Sequence, residues 1–73
     1  MDNDEEIEFI KLVGKRIQEL RKKEKLSQET LSFDADIPRN QIGRIERGEI
    51  NTSLITLFKI SKALNVDITD LLK

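Results

Sequence analysis

Between Pro38 and Gly48 the chain reads PRNQIGRIERG. Asn40 and Arg44 stand four residues apart, one turn of a helix, so both project from one face. Their side chains suit hydrogen bonding to base edges. Asn pairs bidentately with adenine, and Arg with the O6 and N7 of guanine. Arg39, at the start of the segment, can swing to a base or a phosphate. Gln41 and Arg47 lie nearer the flanks, where phosphates would run. Ile42 and Ile45 define the opposite, inner face, and Gly43 sits beside the outward residues as a hole in that surface. Outward Asn, Arg and Gln are also what an ordinary solvated helix carries, and short helices also build small interaction domains. The residues alone leave both readings open.

A reading helix has to be held by others, and the pattern supplies them. With one Pro and three Gly, and few β-branched runs, the chain reads as all-α. Helix 1 is expected from about Asp4 to Glu24. Phe9, Ile10, Val13, Ile17 and Leu20 form its apolar stripe, with Arg21 at the margin. Asn3 or Asp4 caps it, and the early glutamates suit the positive end of its dipole. Helix 2 is expected over Gln28–Ala35 with Ser27 as N-cap and Leu31 and Phe33 as apolar contacts. A short break at Asp36-Ile37 leads to helix 3, Pro38–Arg47, stopped by Gly48. Helix 4 runs from about Ser53 to Leu64, with Leu54, Leu57, Phe58, Ser61 and Leu64 on one face. A brief helix 5 spans Ile68–Leu72, and Asp67 with Asp70 resembles a capping box. Helices 2 and 3, joined by a tight turn, have the arrangement that lays a second helix across a major groove.

Bulk properties narrow the classes further. The 73 residues suffice for one small domain. Cys and His are both absent, so disulfides, thiolate metal sites and the commonest general base are excluded, and no metal or cofactor is expected. Asp34 and Asp36 flank the turn and read as helix-end and turn residues. No enzyme is expected. No apolar run approaches the roughly 20 residues of a membrane span, and no signal peptide is visible. The expected location is the cytoplasm. The net charge is only −1, yet its distribution is uneven. Asp2, Asp4, Glu5, Glu6 and Glu8 stand in the first ten residues without a base, while the rest carries 13 Lys and Arg against 9 acids, a surplus of +4. A polyanionic partner responds to such a local basic surplus, not to the total.

The stretch LSQETLSFDADIPRNQIGRIERGEINTSLITLFKISKALNVDITDLL, residues 26–72, with IQELRKKEK before it, resembles the XRE-type (lambda-repressor-like, Cro-like) helix-turn-helix domain. That domain occurs in phage repressors, restriction-modification controllers and antitoxins. The resemblance implies a compact five-helix lambda-repressor-like fold in which helix 3 reads double-stranded DNA. Arg39, Asn40 and Arg44 match the base-reading positions. Gln28 matches a phosphate-holding glutamine at the start of helix 2, and Gln41, Arg47 and Asn51 match flanking backbone contacts. Arg21 and Glu46 match a structural ion pair between helix 1 and the end of helix 3. Departures are Pro38 for the usual Ser or Thr, Ser32 for alanine, and Asp36 for the turn glycine, which Asp tolerates because it enters the left-handed region more readily than most residues.

The resemblance implies a homodimeric transcriptional repressor on a palindromic operator, with half-sites about 34 Å apart. The alternative is an antitoxin or adaptor whose domain also binds a protein partner such as a toxin. Residues 10–73 are expected to form the DNA-binding domain and residues 1–9 an acidic extension of helix 1 that points away from DNA. Ile50, Ile55 and Leu72, or Ile7 and Leu12, are candidates for the subunit contact, with the helix 4–helix 5 side preferred.

Overall fold

Asn3 opens the first helix by accepting the amide hydrogens of Glu5 and Glu6, at 2.8 and 3.4 Å. The computed structural model describes residues 3–73, so the acidic residue Asp2 lies outside it. Four α-helices follow: α1 (Asp4–Lys23), α2 (Gln28–Ala35), α3 (Arg39–Glu46) and α4 (Leu54–Leu64), then a 3-10 turn at Ile68–Leu71. All regular elements among the described residues are helical. Ser27 and Ser53 cap α2 and α4 through their hydroxyls. The core is purely aliphatic: Val13, Ile17 and Leu20 of α1 meet Leu31, Ala35, Ile37, Ile42, Ile45, Ile60, Leu64 and Leu71.

Each helix ends the same way. Lys25, Asp36, Gly48 and Asn65 take the left-handed conformation. The amide after each bonds back five residues: Leu26 to Arg21, Ile37 to Ser32, Glu49 to Arg44 and Val66 to Ser61, all between 2.9 and 3.1 Å. This is the Schellman closure, which satisfies carbonyls the last turn would otherwise orphan. Asp36 does adopt the left-handed turn expected of it, at φ 58°.

Four expectations are corrected. The fifth element is a single 3-10 turn and not an α-helix. Its i to i+3 bonds, Asp70 to Asp67 and Leu72 to Thr69, are all that four residues can close. Leu71 drops fully into the core, and Arg16 on α1 holds the turn by donating from Nε to the Asp70 carbonyl at 2.9 Å. Helix α3 is one residue shorter at each end than expected, with Pro38 as N-cap and Arg47 as C-cap. The apolar stripes of α1 and α2 are narrower than expected, because Phe9 and Phe33 are exposed, Phe33 by 84%. In α4 the buried edge is rotated: Ile60, Ser61 and Leu64 are buried and Leu57 is half-buried, while Leu54 and Phe58 face outward. The helix is apolar around more than half its circumference, so periodicity alone does not say which part of that arc is covered.

Candidate nucleic-acid interface

The outer face of α3 is built from below by one buried carboxylate. Glu46, in the last turn of α3, has a fully buried side chain. It accepts two bonds from Arg21 of α1, Nε to Oε2 at 2.6 Å and Nη2 to Oε1 at 3.1 Å. Gln28, the first residue of α2, donates a third from Nε2 at 3.0 Å. Arg21 also donates from Nη1 to the Leu26 carbonyl in the α1–α2 loop, at 2.8 Å. The carboxylate thus ties together α1, α2 and α3, and its partner Arg21 adds the loop. Bidentate, charge-assisted geometry makes these bonds short and directional. The resemblance placed Arg21 and Glu46 together, and the structure does the same. It adds Gln28, which sequence reasoning had assigned only to a phosphate. One amide hydrogen of Gln28 is committed to Glu46, and the second remains to donate outward.

Helix α1 approaches this end of α3 with no side chain between. A Cβ added at Gly14 would lie 2.7 Å from the Glu46 carbonyl oxygen and closer still to that of Ile45. Gly14 is what allows the two backbones to touch. Gly43 is also corrected: it is buried, and an added Cβ would sit 3.0 Å from Arg47 Nη1 and 3.5 Å from Gln28 Oε1. It underlies those two side chains and does not open a hole in the reading surface.

Arg39, Asn40 and Arg44 are exposed on the outer face of α3, and Gln41 is half-buried. Arg44 and Arg47 converge on a residue that sequence reasoning missed, Glu49. Arg47 donates to it from Nε at 2.6 Å and from Nη2 at 3.4 Å. Arg44 Nε lies 3.7 Å from its Oε1. The hydrogen bond from Arg47 holds the Glu49 carboxyl below its ordinary value and raises the Arg47 guanidinium. The signal for Glu49 was present in the sequence: it directly follows the closing glycine Gly48, and a glycine-closed turn folds that position back onto the last turn.

Asn51 lies in the loop between α3 and α4. It lines a shallow groove with Glu5, Glu6, Phe9 and Ile10. The acidic start of α1 therefore borders one of the residues expected to hold the DNA backbone, and the two expectations, an acidic end remote from DNA and Asn51 upon it, do not fit together as stated. Among the described residues no cluster of acids is arranged to hold a metal ion, and no helix is long and apolar enough to cross a membrane.

Residues 17–71 match the family model described as helix-turn-helix. The chain is 47% identical over 62 residues to control protein C.BamHI of Bacillus amyloliquefaciens, covering 84% of this chain and 76% of that protein. It is 39% identical over 57 residues to the immunity repressor of Bacillus phage phi105, covering 78% of this chain and 40% of the repressor. Among solved structures, the restriction-modification controller protein C.AhdI of Aeromonas hydrophila superposes with a TM-score of 0.84 at 39% identity, over 85% of this chain and 94% of that one.

Proposed function

The chain belongs to the helix-turn-helix family and is a DNA-binding transcriptional regulator, and from that premise we propose that it is a cytoplasmic repressor bound as a homodimer to a palindromic operator. The observation that carries the reading is the outer face of α3. Arg39, Asn40 and Arg44 are exposed there while the opposite face, Ile42, Ile45 and Glu46, is locked into the core. A helix so held can lie in a major groove with its polar side chains against base edges. Gln28 reaches a phosphate with its second amide hydrogen, and Gln41, Arg47 and Asn51 contact the flanking backbone. Residues 10–73 make the DNA-binding unit, and Asp4, Glu5, Glu6 and Glu8 give the start of α1 its negative charge. The work is recognition and not catalysis. The controllers and repressors among the relatives lend no support to the antitoxin reading.

Selection of bound duplexes from a random library at about 150 mM salt tests this. A palindrome should be enriched, with half-site centres about one helical turn, ~34 Å, apart. Weak binding that vanishes as salt rises, with no enrichment, would leave only phosphate attraction. Arg44→Ala should then lose discrimination at one base pair by about 1–3 kcal/mol, while Gln28→Ala weakens all sequences alike. An unchanged base preference in Arg44→Ala removes α3 from the reading role.

The second copy docks on the outer arc of α4. Leu54 and Ile55 in the first turn and Phe58 in the next are 69%, 63% and 50% exposed, an apolar patch that a chain of this size would be expected to cover. A palindromic operator requires a two-fold pair, and a self-complementary patch supplies one. Phe58→Glu should give a monomer in sedimentation equilibrium, with the helical spectrum of the wild type. A Phe58→Glu dimer would move the interface elsewhere.

A further inference from the structure

The Glu49 carboxylate is an exposed acid seated among the proposed DNA-contacting side chains of α3, and its position is dictated by backbone. Gly48 takes φ 71° and closes α3, which turns the chain so that the Glu49 amide bonds to the Arg44 carbonyl at 2.9 Å. The side chain is thereby returned to the last turn of the helix whose arginines it meets. Arg47 engages it through two nitrogens and Arg44 borders it at 3.7 Å. All three side chains are about half exposed, so the cluster faces solvent and not the core.

We propose that Glu49 is a positioning residue for sequence discrimination: anchored by its hydrogen bonds to Arg47, it sets a negative charge 3.7 Å from Arg44 and orients that guanidinium before DNA arrives. This rests on the reading of the chain as an operator binder. Two consequences follow from the same carboxylate. Long arginine side chains lose rotamer freedom on binding, and a partner that fixes them beforehand reduces that loss. The benefit falls on a complex that uses the fixed orientation, such as a bidentate contact to guanine. A complex held by phosphate attraction alone uses arginine as a mobile charge. There the arginines must leave Glu49, and its carboxylate is left facing the phosphates unpaired. Glu49 thus favours operator DNA and disfavours random DNA.

The test measures dissociation constants for the selected operator and for a random duplex of equal length, at one salt concentration. Wild type, Glu49→Gln and Glu49→Asp are compared, with thermal melts to show equal folding. Glu49→Gln removes the charge and should bind random DNA more tightly and operator less tightly, lowering their ratio about tenfold, within the range one bidentate base contact contributes. Glu49→Asp keeps the charge but shortens the reach, and should also lower the ratio. An unchanged ratio in Glu49→Gln, or a wild-type ratio in Glu49→Asp, overturns the positioning role. A wild type with no preference for any duplex is a different failure, since it removes operator binding itself.

Discussion

Glu46→Ala should lose about 3–5 kcal/mol of folding stability, the usual result of stranding one partner of a buried ion pair. A chain of this size has roughly 4–11 kcal/mol in total, so the variant should sit near the edge of folding. At about 4–8 °C per kcal/mol, its melting temperature should fall by about 12 °C or more. The loss has a specific origin. Arg21 is 8% exposed and would keep its charge with only the Leu26 carbonyl left to accept from it. Gln28 would lose its acceptor as well. Urea unfolding checks the figure. Replacing the whole pair with apolar side chains, Arg21→Met with Glu46→Leu, should regain much of the loss, because no buried charge is then left alone. A single-variant loss below about 1 kcal/mol would mean that water reaches the site and that the brace is weaker than its geometry.

Gly14→Ala should be the most damaging one-carbon change in the protein, at about 3 kcal/mol, the upper end of what overpacking typically costs. The added Cβ meets carbonyl oxygens of α3 and not the far end of a flexible side chain, so a helix must move. Alanine is otherwise the better helix former, by about 1 kcal/mol, so propensity alone predicts the opposite sign. Calorimetry decides between them. Movement of α3 away from α1 would also lengthen the Arg21–Glu46 bonds, so Gly14→Ala and Glu46→Ala should be less than additive together.

The architecture was legible where the sequence carries punctuation. Ser27, Gly48 and Ser53 mark helix ends by their chemistry, and the structure places ends there. The resemblance brought Arg21 and Glu46 together across 25 residues, and the helix 1 pattern set Arg21 at the margin of its apolar stripe, where partial burial is expected. What escaped were choices among equivalents. Leu54, Phe58 and Ile60 are all apolar and all within one broad arc of α4, and only packing against α2 and the C-terminal turn selects Ile60. Phe9 and Phe33 sit at stripe edges in the same way. Lys25 takes the left-handed conformation without being Gly, Asn or Asp and gave no warning, whereas Asn65, like Asp36, is of a type that enters that region readily. At the interface, the type of each outward residue was readable but its partner was not. Gln28 and Glu49 show this: each has two plausible uses, and only the folded backbone reveals that Gln28 bonds inward to Glu46 and that Glu49 meets two arginines.

The brace beneath α3 and the side chains above it have different obligations. Arg21, Gln28, Glu46 and Gly14 are fixed by one another, and a change in any of them is felt by the fold. Arg39 and Asn40 point into solvent and owe the core nothing. A lineage carrying this domain can therefore exchange its outward residues one at a time, moving to a new DNA address while every intermediate still folds. The same partition predicts where descendants will diverge first: along the outer face of α3, with the buried carboxylate and its two donor side chains inherited intact.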